Sequence, residues 1–535
     1  MSEKSMRQAI FSKCMIDSGH FPDVTFSHKM KGRDHAMFDE LHEECGVFGV
    51  YHVEHAAELS YYGLHALQHR GQEGCGIAVS DGLRVKSQKG RGLISEVFTR
   101  ENLNELPGNI AVGHVRYSTA GGNTMENVQP LLSVSHSGTL AMAHNGQIVN
   151  AIRLRNEMED AGSIFQGTSD SEIILHLIRR SPGTLLEKIT KTAQQLEGAF
   201  AFLVMSEDAL YAVRDRWGLR PLSYAKVQNG YCVSSETCTS DVIGGQDIVD
   251  IEPGEIVRFQ HDRVDHFRYT EDVCQHMCAM EYIYFSRPDS TLDKVNVHLF
   301  RKKSGALLAR QDRDLQADIV IGVPDSSISA ASGYAEASGL PYEMGLIKNR
   351  YVARTFIQPT QELRDRGVRM KLSAIHSIVK GRRIVVIDDS IVRGTTSKRI
   401  VQMLKEAGAA EVHMRISSPP LKYPCFYGID ISTTKELIAA KKSVDEIRDY
   451  IGADSLAFLS LDGLVESIGL GADAPYGGLC VAYFNGDYPT ALDDYEADFL
   501  KSLTPEDRVR LPEFALYKSK YEGNEYTTTS SQEEH

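Results

Sequence analysis

The run 384–397, Ile-Val-Val-Ile-Asp-Asp-Ser-Ile-Val-Arg-Gly-Thr-Thr-Ser, limits the possible folds of this chain more than any other segment. Its four leading apolar residues are rich in β-branching, which predicts a parallel strand buried on both faces. Asp388 and Asp389 then emerge at the carboxyl end of the strand, where open α/β sheets bind ligands. The glycine and hydroxyl residues that follow can present N–H and O–H groups to a phosphate. The run therefore predicts a site for a phosphorylated sugar held with a divalent metal.

The flanking sequence predicts further strands and helices around this site. A helix is expected over 398–407, opened by Ser397 or a neighbour and stopped by Gly408, with the next strand over 411–417. Another short buried strand is expected over 317–323, before the turn 324–327. For an isolated Asp-Asp pair, the favoured interpretation would be an ordinary strand that ends in two solvated carboxylates.

A second set of motifs begins at Cys45, which heads an alternating apolar stretch. On its own, this cysteine would be read as a buried, inert strand thiol. Four further motifs follow it in order: Leu-Gln-His-Arg-Gly-Gln-Glu at 67–73, Gly-His-Val-Arg-Tyr-Ser-Thr at 113–119, Ala-His-Asn-Gly at 143–146 and Gly-Thr-Ser-Asp-Ser-Glu at 167–172. Together they resemble the glutaminase domain of the N-terminal-nucleophile class. With the run 384–397, the chain resembles the amidophosphoribosyltransferase family from Cys45 to about Thr490.

The resemblance implies an α+β glutaminase sandwich of αββα type, followed by an α/β type I phosphoribosyltransferase domain. Short apolar segments separated by turns agree with antiparallel sheets, and 171–179 has a helical pattern. The apolar segments are 110–115, 140–144, 200–205, 210–213 and 231–234. We predict a leader over 1–44, a glutaminase domain over 45–275, a transferase domain over 276–490 and a helical or disordered tail over 491–535.

The glutaminase chemistry requires a strong nucleophile. A thiolate can attack the glutamine side-chain amide, and a free α-amino group on the same cysteine can act as the base. The resemblance implies that Arg116 binds the α-carboxylate of glutamine and that Asp170 holds its α-ammonium. It also implies an oxyanion hole made by Asn145 and the N–H of Gly146.

Arg70 and three histidines lie beside these motifs. The resemblance implies that Arg70 closes or orders the glutamine pocket, and the alternative is a surface or structural arginine. His69, His114 and His144 are interpreted as structural, because the N-terminal amine already supplies the base.

A basic segment, 348–371, stands out in a chain of net charge −14. It resembles the family's mobile loop, which folds over phosphoribosylpyrophosphate (PRPP) and excludes water. The implied Mg²⁺ site comprises Ser326, Asp388 and Asp389. The PRPP-binding residues implied by the resemblance are Lys348, Arg350, Tyr351, Asp388, Asp389, Arg393, Gly394, Thr395, Thr396 and Ser397.

Composition limits the surroundings and partners of the chain. At 535 residues it should form several domains, and no stretch resembles a signal peptide or membrane span. Nine cysteines without dense spacing favour a reducing cytoplasm. The acidic balance argues against nucleic acid or an anionic membrane as a partner. Family analogy suggests a homotetramer inhibited by purine nucleotides.

The sequence departs from the iron–sulfur branch of the family at one ligand position. Cys278, Cys425 and Cys480 match three ligands, but Tyr483 stands where that branch has the fourth cysteine. Because a [4Fe–4S] cluster normally takes four thiolates, we expect none to assemble. Cys274 could substitute only by placing two ligands on one short segment.

The expected reaction is hydrolysis of glutamine at Cys45 and transfer of the ammonia to C1 of PRPP. Other glutamine amidotransferases, such as asparagine synthetase or glucosamine-phosphate synthase, would share the Cys45 domain but would not require the run 384–397. A regulatory protein that senses PRPP or nucleotides is a further alternative. It would need a DNA-binding element, and the acidic chain offers no basic helix–turn–helix candidate.

The α-amine mechanism predicts that the active protein begins at Cys45. Mass spectrometry of active protein should show that residues 1–44 have been lost. Met37 lies shortly before Cys45, so residues 1–36 are either an unusually long leader or the product of an upstream start. A fully glutamine-active protein that retained Met1 or Met37 at its terminus would contradict this mechanism.

Overall fold

The computed structural model describes residues 45–117, 122, 124–349, 372–429, 433–469 and 474–514. Arg350, Tyr351, most of the basic segment, the leader and the last part of the tail lie outside these residues. No helix in the described part of the chain is both long and apolar enough to cross a membrane.

Two antiparallel sheets form the centre of the first half. The seven-stranded sheet contains, from edge to edge, Gln246–Asp250, Ser223–Val227, Gly230–Ser234, Gly46–Tyr51, Ile110–Arg116, Gly74–Ser80 and Val85–Arg91. The six-stranded sheet contains Arg263–Arg268, Glu255–Gln260, Leu210–Arg214, Gly198–Met205, Gly138–Ile148 and Leu131–Ser135. Strands occupy the predicted apolar segments 110–115, 140–144, 200–205, 210–213 and 231–234, so the expectation of antiparallel sheets built from them is confirmed.

The two sheets pack face to face with helices on their outer faces. Small and branched side chains such as Val47, Ala143 and Leu203 fill the space between the sheets. The outer face of the seven-stranded sheet packs on Ala56–Ala66 and Cys238–Ile243, with Ile94–Val97 and Arg100–Asn104 nearby. The other sheet is covered by Ala151–Asp160, Ser171–Arg180 and Leu185–Ala193. This arrangement is the predicted αββα sandwich.

A parallel four-stranded sheet forms the centre of the second half, in the order Ile319–Gly322, Arg383–Asp388, Glu411–Ile416 and Ser455–Phe458. Alternate residues point to opposite faces, so Val385 and Ile387 enter one core while Ile384 and Val386 enter another. The main helices on these faces are Val297–Gln311, Ile328–Ser338, Thr395–Glu406, Val444–Ile451 and Leu461–Ile468. Shorter elements are helices His376–Val379 and Ala482–Asn485 and strand pairs 291–292 with 295–296 and 346–348 with 372–374.

The polypeptide crosses between the two halves shortly after residue 268. Cys278 donates its N–H to Leu219 in the first half, while strand Met277–Cys278 pairs with Leu479–Cys480 in the second. The described part of the predicted tail is ordered as helices Glu496–Ser502 and Pro505–Val509. Phe499 of this segment is fully buried in a core that also contains Ala199 of the sandwich. One hydrophobic core therefore runs through both halves.

Helices Val297–Gln311 and Ile328–Ser338 approach each other more closely than side chains allow. A Cβ atom at Gly305 would lie 1.9 Å from the carbonyl oxygen of Ala330, and one at Gly333 would lie 1.9 Å from that of Lys302. Because the second helix begins directly after the turn 324–327, this contact sets the position of that turn.

Gly305→Ala should lower the free energy of unfolding by about 1–3 kcal/mol, because the added methyl forces the two helices apart. Urea unfolding of the full chain measures the change. Ala306→Ser, on the neighbouring half-buried position, should stay within about 0.5 kcal/mol of wild type. Equal stability of Gly305→Ala and wild type would show that the helices separate without cost.

Candidate functional site: a glutaminase centre and a phosphoribosyl centre

Cys45 immediately precedes the central strand Gly46–Tyr51 of the seven-stranded sheet. Its thiol lies 3.4 Å from the carbonyl oxygen of Tyr117, at the end of the neighbouring antiparallel strand. Burial raises the pKa of the Cys45 thiol, whereas the positive charges of Arg116 and Arg70 oppose that rise. On balance the pKa stays raised, so the effect of burial outweighs that of the two cationic side chains.

Asn145 and Gly146 lie on strand Gly138–Ile148 of the other sheet. The Asn145 side chain is almost fully buried, and within the described part of the chain neither its Oδ1 nor its Nδ2 has a hydrogen-bond partner. Gly146 has φ +133°, and a Cβ there would lie 2.1 Å from the carbonyl oxygen of Ala199. Only glycine fits this position. A buried amide without a partner is suited to a group that arrives with the substrate.

Asp170 and Arg116 complete this centre. Asp170 precedes helix Ser171–Arg180 and accepts the N–H of Ile148 at 2.9 Å, so its carboxylate is fixed beside the Asn145 strand. Arg116 ends its strand and donates from Nη2 to the carbonyl oxygen of Gly122 at 3.0 Å. The sheet register thus brings together residues that the sequence analysis assigned to one pocket.

The three neighbouring histidines have structural contacts. His114 Nε2 donates to the carbonyl oxygen of His144 at 3.1 Å, and His144 Nδ1 lies 2.9 Å from Ser171 Oγ. Burial lowers the pKa of His114 to about 3 and also lowers that of His144. His69 pairs with Glu236 at 2.7 Å.

Arg70, which the resemblance assigned to closing or ordering the glutamine pocket, contacts two buried carboxylates and the backbone of Cys45. The Nη1 atom of Arg70 donates to Glu236 at 2.5 Å and to Glu281 at 3.0 Å, and its Nη2 atom donates to Glu281 at 2.6 Å. The Nε atom donates to the carbonyl oxygen of Cys45 at 3.3 Å. Burial by itself would lower the pKa of Arg70, but Glu281 and Glu236 raise it. Arg70 is therefore a buried arginine that contacts the nucleophile's backbone, and it is not on the surface.

Asp388 ends the second strand of the parallel sheet, and Asp389 follows it. Ser326 Oγ donates to Asp389 at 2.6 Å, and Ser327 Oγ donates to Asp388 at 3.2 Å. Burial raises the pKa of Asp389, whereas hydrogen bonds from Ser326 and Ser390 oppose that rise. The turn 324–327 and the two carboxylates thus meet at the carboxyl end of the strands, as predicted.

The rest of the predicted anion site lies at the start of the following helix. Gly394, with φ +77°, directly precedes helix Thr395–Glu406, which begins three residues earlier than the expected start at residue 398. Arg393 pairs with Glu436 at 3.1 Å, and Lys348 Nζ lies 3.2 Å from Asp325. The N–H groups at this helix end face the side on which Asp388 emerges.

The donor set fits Mg²⁺ bound together with a substrate. Among the described residues, no three His, Cys, Asp or Glu side chains lie close enough to form a metal site by themselves. Asp388, Asp389 and the Ser326 hydroxyl supply hard oxygen donors, and Mg²⁺ typically takes its remaining ligands from phosphates and water.

Cys278, Cys425, Cys480 and Tyr483 line one small cavity together with Leu219 and Arg220 of the first half. Burial raises the pKa of Cys278 to about 11 and also raises that of Cys480 and of Tyr483. Tyr483 therefore takes the place of a fourth thiol in three dimensions as well as in sequence. Three thiols and a protonated phenol do not fit a cluster held by four thiolates.

Comparison with protein-family models gives matches in both halves. Residues 114–239 match a glutamine amidotransferase domain, and residues 296–417 match a phosphoribosyl transferase domain. The fold and the two centres thus define a glutamine amidotransferase joined to a phosphoribosyltransferase.

Individual relatives identify the family. The amidophosphoribosyltransferase of Bacillus subtilis (strain 168) is 55% identical over 84% of this chain and 95% of its own length, and that of Staphylococcus aureus (strain MRSA252) is 54% identical over 87% and 95%. A solved structure of glutamine PRPP amidotransferase from B. subtilis with ADP and GMP has a TM-score of 0.80 at 55% identity, covering 83% of this chain and 97% of that one. A second, described as the allosteric regulatory enzyme of purine biosynthesis, has a TM-score of 0.82 at 54% identity over 86% of this chain and 100% of that one. The chain belongs to the amidophosphoribosyltransferase family.

The sequence analysis missed Glu236 and Glu281. Both carboxylates are completely buried, and burial of a charge requires a partner. A signal was present for Glu281, because it is a lone acid in the apolar and aromatic run Met280–Phe285. The sequence did not indicate which cation it would bind.

Asn145→Ala should leave the melting temperature unchanged or raise it, because it removes a buried amide that makes no hydrogen bond. Asn127→Ala is the matched control. Asn127 is equally buried, but its side chain accepts the N–H groups of Thr168 and Ser169 and donates to Thr168 Oγ1. The control should lose about 1–3 kcal/mol or more. Equal losses in thermal unfolding would contradict a preformed, unfilled amide at residue 145.

Proposed function

We propose that this chain hydrolyses glutamine at Cys45 and transfers the ammonia to C1 of PRPP, giving 5-phosphoribosylamine, pyrophosphate and glutamate. One related solved structure is described as the allosteric regulatory enzyme of purine biosynthesis, and we assign this reaction to the same biosynthesis. The observation that carries the proposal is a contact between the two halves at the proposed oxyanion-hole glycine, Gly146. Gly428 of the transferase half packs so closely against it that a Cβ atom at position 428 would lie 3.3 Å from the carbonyl carbon of Gly146. One compact unit therefore contains both centres.

In the glutaminase reaction, the Cys45 thiolate attacks the side-chain amide carbon of glutamine. The freed α-amine of Cys45 takes the thiol proton and returns it to the leaving ammonia. Asn145 Nδ2 and the Gly146 N–H stabilise the oxyanion, where loss of one donor costs on the order of a hundredfold or more in rate. Arg116 and Asp170 bind the α-carboxylate and α-ammonium. Water then releases glutamate from the thioester.

In the transferase reaction, ammonia attacks C1 of PRPP as the C1–pyrophosphate bond breaks. Asp388 and Asp389 face the ribose hydroxyls, and the helix start at Gly394–Ser397 binds the 5-phosphate. When bound, Mg²⁺ would neutralise charge on the departing pyrophosphate beside Ser326. Lys348 begins the basic segment that we expect to cover PRPP, with Arg350 and Tyr351.

Ammonia must pass between the centres inside the protein, because in water it would be protonated and lost. The contact of Gly428 with Gly146 supports such a route, because it joins the transferase half to the strand that carries Asn145. We also propose the domain division near residue 275, a homotetrameric assembly, inhibition by purine nucleotides and a cytoplasmic location.

Cys45→Ala should abolish glutamine-dependent formation of phosphoribosylamine but retain activity with high ammonia. The double variant Asp388→Asn with Asp389→Asn should abolish both reactions, because the carboxylates serve every turnover. Release of pyrophosphate from PRPP, with glutamine or with ammonium, measures both. A folded Cys45→Ala protein without ammonia-driven activity would refute this division of labour.

We further infer that the cavity of Cys278, Cys425, Cys480 and Tyr483 holds no [4Fe–4S] cluster. A phenol has a reference pKa of about 10 and would have to lose its proton to complete a site that thiolates fill more readily. The three cysteines then act as small buried apolar side chains.

Protein purified without oxygen should be colourless, contain no stoichiometric iron or sulfide, and remain active in air. Iron and acid-labile sulfide analysis provides the measurement. Tyr483→Cys is an informative second variant, because it gives the cavity four thiols. It should bind iron if the thiols that line the cavity are sufficient for a cluster to assemble. About four iron atoms per wild-type chain would overturn the inference.

A further inference from the structure

We propose that Glu281 is a positioning residue for the nucleophile, acting through Arg70, so that glutamine hydrolysis depends on the docking of the transferase half. This inference rests on the proposed function, because it gives Glu281 a part in the glutaminase reaction. It also gives the implied ordering role of Arg70 a physical basis, the contact of its Nε with the Cys45 carbonyl oxygen.

The contact geometry fixes the Arg70 side chain in one orientation. Both oxygens of Glu281 accept from the two terminal nitrogens of Arg70, at 3.0 and 2.6 Å, as a bidentate fork. Such a fork fixes the plane of the guanidinium as well as its position. The remaining Nε–H then points at the carbonyl oxygen of Cys45, 3.3 Å away. The carboxylate of Glu281 therefore determines where the backbone of the nucleophile is held.

The transferase half holds Glu281 in place. Ser286 Oγ donates to Glu281 Oε2 at 2.8 Å. Arg301, from helix Val297–Gln311, donates to the carbonyl oxygens of Tyr282 and Ser286 at 2.7 and 2.8 Å and so holds the short helical segment Glu281–Phe285, which begins at Glu281. Arg301 also interacts electrostatically with Asp389 of the phosphoribosyl centre.

A misplaced Arg70 should impair the chemical step of glutamine hydrolysis and not the binding of glutamine. The Cys45 carbonyl belongs to the same residue as the thiol and the proposed base, so a tilt of Arg70 displaces both reacting groups. Glutamine itself is bound by other residues. Loss of the Glu281 charge should therefore lower kcat and leave KM for glutamine nearly unchanged.

The test is Glu281→Gln in the full chain, which keeps the side-chain size and removes the charge. We expect kcat for glutamate release to fall between about tenfold and a hundredfold, as displacement of a reacting group by about 1 Å does. Ammonia-driven pyrophosphate release should stay within about twofold of wild type. Alkylation of Cys45 by iodoacetamide, followed by mass spectrometry, should slow in parallel with glutamate release.

Asp293→Asn is the matched control. Asp293 also forms a bidentate pair with a buried arginine, Arg214, at 2.9 and 3.0 Å. It should leave glutamate release and alkylation of Cys45 unchanged. An equal loss in both variants, or an unchanged kcat in Glu281→Gln, would overturn the proposal.

A milder variant covers failure of Glu281→Gln to fold. Ser286→Ala removes one donor to Glu281 but keeps the ion pair, and it should lower kcat in the same direction by a smaller factor. An unchanged kcat in this variant would overturn the proposal. Wild-type protein that releases no glutamate from glutamine would refute the proposed function, whereas the alkylation rates would still decide the role of Glu281.

Discussion

The arrangement of the two halves depends on the ion pairs formed by the buried guanidinium of Arg70. It lies between Glu236 of the sandwich and Glu281 of the transferase half, and all three side chains are essentially inaccessible to solvent. Burial of such charges is costly, and removing one partner typically costs about 3–5 kcal/mol. The two halves can bury these groups only when they are docked. The position of Cys45 is thereby tied to that docking.

The two centres prepare for their substrates in opposite ways. The glutaminase centre leaves the Asn145 amide without a partner among the described residues, so we expect the oxyanion of the substrate to fill a preformed gap. In the phosphoribosyl centre, Asp388 and Asp389 are already bonded to the hydroxyls of Ser326 and Ser327. Those hydroxyls must therefore shift or share their bonds when metal and pyrophosphate arrive. The proposed site for the glutamine amide thus has an amide without a partner, whereas the proposed site for PRPP has carboxylates that already accept hydrogen bonds.

Local sequence predicted most of the fold and the positions of the reactive groups. The apolar run 384–387 became strand Arg383–Asp388, because β-branched residues without helical periodicity fit a buried parallel strand. Helix Thr395–Glu406 began earlier than expected, because the left-handed conformation of Gly394 ends the preceding loop. The carboxylates around Arg70 could not be predicted. Glu281 is 211 positions away from Arg70, and local pattern does not determine a pairing at that separation.

We infer that docking of the two halves couples glutamine hydrolysis at Cys45 to the transfer of ammonia to PRPP. The most direct measurement uses glutamine labelled with ¹⁵N in the side-chain amide, PRPP, and an excess of unlabelled ammonium in the buffer. Mass analysis of the amine product then reports the source of its nitrogen. If ammonia passes internally from Cys45 to PRPP, nearly all glutamine-dependent product carries ¹⁵N. Product with the isotope ratio of the bulk ammonium would show that the two centres work independently.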